Sequence, residues 1–321
     1  MAEGLIIGVD GGGTKTQMAV ADPLGKIIGF SETGCTNWES PDFNMNHWLD
    51  LFNNLQGEKI ETAVFTVSGW DYEEGRTITK KNIEEAMLCK HVKAEKVIYR
   101  NDIFSLLMSG LLGGTKGVAV SSGTGTVGIA RNGDSYYQTT AYGYIAGEWG
   151  SGPDMVEYAL HLACASMLGR DGPFPVLEKH ALEYFSAEDL DSLVKKLVSR
   201  KISQKEFGFF LSKIHEAYQA GCQGAGKVLE KAGKELALTV WSLLKKINNF
   251  CVPVIFGGGT IKNFGLPPGL RNHLKALTGV QNEIRILKSD PVYGSLLWAL
   301  MESNKPADDV REHIKLDITF E

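Results

Sequence analysis

Three glycine-rich turns carry the residue types best suited to hold an anion. They are Asp10-Gly11-Gly12-Gly13-Thr14-Lys15-Thr16, Ser121-Ser122-Gly123-Thr124-Gly125-Thr126 and Gly257-Gly258-Gly259-Thr260, and each follows a run of β-forming residues. Glycine lets backbone N–H groups crowd onto phosphate oxygens where any Cβ would intrude, and threonine hydroxyls add donors. Lys15 could add a positive charge or point to solvent. Each turn taken alone also reads as a plain tight hairpin. Residues 123–128 match G-x-G-x-x-G, but the dinucleotide reading needs those glycines to open a helix. Here Val127-Gly128-Ile129-Ala130 continues as a strand into Asn132-Gly133. The Gly-Lys-Ser/Thr ending of a P-loop is absent too. Between the first two turns stands Arg100-Asn101-Asp102, with Asp102 at the N-cap of the helix that the apolar spacing of Ile103 to Leu112 predicts. By position alone its carboxylate is a cap.

Such turns need strands on both sides. Residues 5–10, 16–21 and 26–30 read as a three-stranded meander, with a tight turn at Asp22-Pro23-Leu24-Gly25. Residues 62–68 form a further strand, 82–89 a helix, and 96–99 a short strand leading into Arg100. The pattern then restarts, with strands over 117–122, 127–131 and 135–140 and a hairpin turn at Asn132-Gly133-Asp134. Gly13-Thr14 and Gly123-Thr124 hold the same place in their meanders, 110 residues apart. The chain therefore reads as one domain pattern used twice; two unrelated hairpins are the alternative. Helical periodicity covers 155–168 and 204–246. A β-run over 252–256 ends in the third glycine turn, and 291–303 forms an apolar helix with Val292, Leu296, Leu297 and Leu300 on one side. The charged tail from Asn304 reads as a closing helix or a short strand.

The 321 residues suit two domains, and 43% hydrophobic with 22% charged residues is ordinary for a globular chain. No apolar run approaches the length of a membrane span, and the first residues lack the pattern of a signal peptide, so the expected location is cytoplasmic. A net charge of −5 with no basic stripe speaks against nucleic acid or an anionic membrane as partner. The five cysteines, Cys35, Cys89, Cys164, Cys222 and Cys251, are odd in number and scattered, which fits reduced thiols better than disulfides or a zinc site.

Taken in order, Asp10-Gly-Gly-Gly-Thr-Lys-Thr, Arg100-Asn101-Asp102, Ser122-Gly-Thr-Gly-Thr and Phe256-Gly-Gly-Gly resemble the signature set of the actin/Hsp70/hexokinase superfamily. Within it they are most similar to the BadF/BadG/BcrA/BcrD-type ATPases, in their N-acetylglucosamine kinase-like branch. The resemblance implies an α/β fold of duplicated RNase H-like (actin-like ATPase) domains around a central ATP and substrate cleft. The first domain would span 1–115, completed by 290–321, and the second 116–289.

On these residues the family pattern puts the ATP phosphates between Gly11, Gly12, Gly13, Thr14 and Lys15 on one side and Gly123, Thr124, Gly125 and Thr126 on the other. Asp10 would orient Mg²⁺ through water, and Gly257, Gly258 and Gly259 would pack against the adenosine. Asp102 would be the base that accepts the hydroxyl proton as the γ-phosphoryl moves. Asn37 of Cys35-Thr36-Asn37-Trp38, the Ser68-Gly69 turn and Glu148 would bind the sugar, N-acetylglucosamine or a close relative. A homodimer stays open.

Two departures stand out. The family's Gly-Asp-Glu-Gly-Ser is here Gly147-Glu148-Trp149-Gly150-Ser151, within the loop 143–152, so the carboxylate sits one methylene further out and the choice of sugar is affected. Gly221-Cys222 replaces an expected Gly-Asp. Two other activities share the fold. An activator ATPase of a radical dehydratase system would need a pair of cysteines near the start of the second domain, and residues 116–150 contain none. An ATP-sensing protein without enzyme activity would have no use for the sugar-loop residues.

Overall fold

The computed structural model describes residues 4–139, 146–199 and 204–320. Thr140, the expected end of a strand, and Gly143, Tyr144 and Ile145 of the loop before Glu148 lie outside the described residues.

The first sheet begins with the expected meander, β1 (Leu5–Gly11), β2 (Lys15–Ala21) and β3 (Ile27–Gly34), paired antiparallel. After α1 (Met45–Leu51) the chain adds β4 (Lys59–Val67) parallel to β1. After α2 (Glu73–Cys89) it adds β5 (Lys93–Asn101) parallel to β4, giving the order β3-β2-β1-β4-β5. Ile6, Ile7 and Val9 are fully buried, as expected for a central strand covered on both faces.

Then comes α3 (Ile103–Leu111), every residue of which is buried. The second sheet repeats the scheme: a meander of β6 (Lys116–Ser122), β7 (Thr126–Asn132) and β8 (Ser135–Gln138). Between its third and fourth strands the chain inserts α4 (Gly152–Met167), α5 (Pro175–Tyr184), α6 (Leu190–Val198), α7 (Gln204–Gln219) and α8 (Gln223–Ile247). It continues through β9 (Val254–Gly257), α9 (Gly259–Phe264), α10 (Leu270–Thr278) and β10 (Ile284–Leu287). The close is α11 (Val292–Glu302), α12 (Asp308–Lys315) and β11 (Ile318–Phe320). The strand order β11-β10-β9-β6-β7-β8 is the first sheet's order with one strand added. The tail that read as helix or strand is both.

The duplication holds with one refinement. Between the paired residues Gly11 and Thr16 the first hairpin has four residues, 12–15, whereas between Ser122 and Thr126 the second has three, 123–125. The offset of 110 therefore describes the strand after each turn, and the strand before it is offset by one more.

The two halves also exchange helices. α3, which follows the first sheet in sequence, packs on β6, β9 and β10 of the second sheet, and α11 packs on β1 and β4 of the first; α3 and α11 lie against each other. The close fit is visible at Gly8 of β1, where any Cβ would collide with the backbone of Leu296. Residues 290–321, expected to complete the first domain, do so only in part: α11 covers the first sheet, while β11 pairs with β10 at the edge of the second.

The continuous helical span expected over 204–246 is broken at Gly221, which takes φ +81° beyond the end of α7. Cys222 then stands at the N-cap of α8 with no side-chain cap bond. The Cys222 substitution thus leaves the helix start without the oxygen acceptor an aspartate would offer.

Candidate active site

The edges of the two sheets that face each other carry the expected turns. β1 ends at Asp10-Gly11, and the turn closes with the Gly12 N–H donating to the Lys15 carbonyl at 2.9 Å. A Cβ on Gly11 would meet Val67 and Thr36, whereas Gly13 faces open space. In the second hairpin the Gly123 N–H donates to the Gly125 carbonyl at 2.9 Å, and the Thr126 hydroxyl is buried without a hydrogen-bond partner. The loop bearing Glu148 is seated on this hairpin. The Gly152 N–H donates to the Gly123 carbonyl, the Ser122 hydroxyl to the Gly150 carbonyl, and a Cβ on Gly125 would lie 3.0 Å from the Glu148 carboxyl. Glu148 itself takes a left-handed backbone with φ +53°, and Trp149 beside it is half exposed.

The third turn divides by role. Gly257 is buried, with Leu106 of α3 where a Cβ would go, and Gly258 (φ +91°) runs directly over the Ser122 backbone. Those two glycines let the chain pass close to its neighbours, Gly257 against α3 and Gly258 against Ser122. Gly259 has open space beside it.

Asp102 and Asp10 form the acidic centre. Asp102 stands at the N-cap, just before α3, in a helical backbone conformation (φ −58°, ψ −27°) with no side-chain capping bond; the Ile103 N–H donates to Asn101 Oδ1 at 3.1 Å. The capping expected of Asp102 thus falls mainly to the Asn101 side chain. Asp102 reaches the cleft surface, yet burial raises its pKa to about 7, with the charges of Asp10 and Asp71 adding to the rise. Burial likewise raises Asp10 to about 6, against the opposing pull of the Ser105 and Thr66 hydroxyls and the charge of Lys262. The Ser105 hydroxyl lies 2.7 Å from Asp10 Oδ1 and 2.6 Å from the Asp102 carbonyl, and its single proton serves one at a time.

The expected sugar-loop residues converge beside these acids. The Ser68 N–H donates to the Gly11 carbonyl at 2.8 Å, and the Ser68 hydroxyl is buried without a partner. The Trp38 indole N–H donates to the Gly69 carbonyl at 3.3 Å, and a Cβ on Gly69 (φ +75°) would strike Asn37 Oδ1. Asn37, Ser68 and Gly69 thus meet at the ends of β1 and β4, next to Asp10. Sequence reasoning missed Asp71, two residues further on. It accepts from Asn101 Nδ2 at 3.2 Å and from Gln138 Nε2 of the second sheet at 3.2 Å, spanning the cleft, and burial raises its pKa.

It also missed Lys262 and Asp290. Lys15 neither faces solvent alone nor stands free for a ligand: its amine donates to Glu32 and Asp290, both at 3.1 Å. Burial would lower its pKa, but those two carboxylates outweigh it and raise it. Lys262 of α9 donates to the Ser289 carbonyl at 2.8 Å, with Asp290, Lys15 and Asp10 near enough to act on its charge.

For magnesium, Asp10 engages the Thr66 and Ser105 hydroxyls through Oδ1, and no group of three or more His, Cys, Asp or Glu among the described residues could hold a metal by itself. Mg²⁺ keeps several waters and takes phosphate oxygens, so a single cleft carboxylate suits an ion that arrives with a nucleotide.

Two glycine turns, one of them beside a pair of acids with raised pKa values, coincide with a family match. A profile of the BadF/BadG/BcrA/BcrD ATPase family matches residues 7–299, and the chain belongs to that family. It is 25% identical over 309 residues to the N-acetylmuramic acid/N-acetylglucosamine kinase of Clostridium acetobutylicum, covering 92% of this chain and 98% of the relative. It is 25% identical over 323 residues to the N-acetyl-D-glucosamine kinase of Dictyostelium discoideum, covering 94% and 99%. A solved structure from Chromobacterium violaceum, described as a candidate N-acetylglucosamine kinase, superposes with a TM-score of 0.66 at 20% identity, covering 93% of this chain and all of the other. These likenesses agree with the expected fold of two actin-like ATPase halves. No helix among the described residues is long and apolar enough to cross a membrane.

Proposed function

We propose that this chain is a cytoplasmic sugar kinase that transfers the γ-phosphoryl of Mg²⁺-bound ATP to a hydroxyl of an amino sugar, N-acetylglucosamine or a close relative. The observation that carries the reading is Asp102: a carboxylate with no side-chain capping bond, held near neutral pKa, between an anion turn and a cluster of polar loop residues. A group with a pKa close to the working pH is well matched to accept a proton during phosphoryl transfer.

In this reading the turn 11–14 of the first domain (1–115 with 290–321) and the turn 123–126 of the second (116–289) hold the phosphates from either side. Mg²⁺ is placed by Asp10 through water and supplies charge neutralisation on the phosphate oxygens when bound. Asn37, Ser68 and Gly69 orient the sugar so that its hydroxyl faces Asp102. The unpartnered Ser68 hydroxyl supports this, because a buried hydroxyl without a partner is costly unless a ligand satisfies it. Glu148 reaches toward the sugar from the second hairpin, and Gly259 lies beside the adenosine.

The names of the two 25%-identical relatives support an N-acetylated amino sugar as acceptor. Coupled ATP turnover with N-acetylglucosamine, glucosamine, N-acetylmuramic acid and glucose side by side tests the reading. Phosphorylation of an N-acetylated sugar above the others is expected. ATP binding without a phosphorylated product from any sugar would overturn it.

A further inference from the structure

The cleft holds two lysines whose charges are matched differently. Lys15, from the first hairpin, is paired with Glu32 and Asp290. Lys262 meets only an uncharged partner, the Ser289 carbonyl at 2.8 Å, and among the described residues no carboxylate lies within ion-pair distance of it. The residue is exposed, and its amine lies near enough to Asp290, Lys15 and Asp10 to feel their charges. Two buried hydroxyls without hydrogen-bond partners belong to the segments around it: Ser289 Oγ on the segment that receives the lysine, and Thr126 Oγ1 on the second phosphate hairpin. The turn that starts α9 touches that hairpin too, since a Cβ on Gly123 would lie 3.4 Å from the Gly259 nitrogen. A lysine with no carboxylate partner, on a helix whose start touches the second glycine hairpin, suits a polyanion, because phosphate oxygens supply the charge it lacks.

We infer that Lys262 is a nucleotide-binding residue, whose amine leaves or shares the Ser289 carbonyl to bind the polyphosphate of ATP, with Lys15 held back by its two carboxylates. This rests on the kinase reading above, and it assigns the phosphate charge to a lysine of the second half rather than to the lysine of the Gly-Gly-Gly-Thr-Lys turn. A purely structural Lys262, pinning α9 to the segment at Ser289, makes the opposite forecast for how binding depends on phosphate number.

The test is calorimetric titration of ATP, ADP and AMP, with Mg²⁺ and without sugar, into the parent protein and into K262M, K262Q and K262R. K262Q keeps a donor for the Ser289 carbonyl and removes only the charge, so it separates pinning from phosphate binding should K262M fail to fold. Loss of one charge-assisted contact predicts an ATP affinity about 10- to 100-fold lower in K262M and K262Q, with a smaller loss for ADP, none for AMP, and recovery in K262R. Equal losses for AMP and ATP, or ATP binding at the parent's affinity in both neutral variants, would overturn the inference while leaving the kinase reading in place. A parent protein that binds no ATP would overturn both.

Discussion

The two halves of this protein share a strand order but present opposite chemistry to the cleft. The first half and the returning segment at its side bring acids: Asp10, Asp71, Asp102 and Asp290. The second half brings donors, namely the Gly123–Gly125 backbone, the Thr124 and Thr126 side chains and Lys262. One scaffold used twice thus carries carboxylates on one side and hydrogen-bond donors on the other. The one-residue difference between the hairpins goes with different side chains at their ends: Lys15, which closes the longer first turn, is tied to carboxylates, and Thr126, just after the shorter second turn, has its hydroxyl unpartnered. A shared topology fixes where a turn stands and leaves its chemistry to the residues on it.

The sharpest way to break this comparison is to neutralise the base. Asp102→Asn should lower kcat by about 10²–10⁴-fold with nearly unchanged ATP affinity. Near-normal turnover would remove Asp102 from the mechanism and the proton-handling role from the first half. Because the folded protein holds this carboxyl well above its unfolded pKa, the parent loses stability as pH rises through about 7, and the asparagine variant does not. Thermal melting should therefore favour Asp102→Asn at pH 8, with the gap closing toward pH 5.

Thr126→Ala probes the other half. Its hydroxyl has no protein partner to lose, so the melting temperature should hold while the KM for ATP rises about tenfold. A lower melting temperature with an unchanged KM would return Thr126 to a structural role.

Asp71→Asn is subtler. Asp102 must be deprotonated to act as base, so kcat/KM should fall as pH drops below about 7 in the parent. Asp71's charge helps to raise that pKa, and its removal should move the acid limb of the profile to lower pH. An unmoved limb would take Asp71 out of the electrostatics of the site.

The smallest effect lies away from either cleft edge. Cys222→Asp should restore a cap to α8, raise stability by about 1 kcal/mol and leave turnover alone. A change in kcat would tie the inserted helices to the division between the halves.

Local features of the sequence reached far into this picture. Both meanders, the glycine turns and α11 were readable because alternation, tight-turn residues and a one-sided apolar stripe act over a few positions. Asp102 was found at the right place with the wrong partner: its neighbour Asn101 has the side chain that meets the Ile103 N–H, and only the backbone angles distinguish the two. Asp71 left a signal, standing two residues after Gly69, and Ser105 left one at i+3 from Asp102 on the helix. Lys262 and Asp290 left none. Lys15 and Asp290 are 275 residues apart, and no local pattern announces that they meet. The helix exchange was equally hidden, since a largely apolar α3 demands burial without saying on which sheet.

That exchange has a consequence for how the chain comes into being. When the ribosome has released only the first 115 residues, α3 has no second sheet to cover it, and the face of β1 at Gly8 still waits for Leu296. The first half cannot complete its own core until α11 is made, so one sheet face stays bare while the whole second sheet's inserted helices are synthesised. Folding must finish as a single late event, and protease or chaperone should distinguish the growing chain from the finished one until α11 arrives.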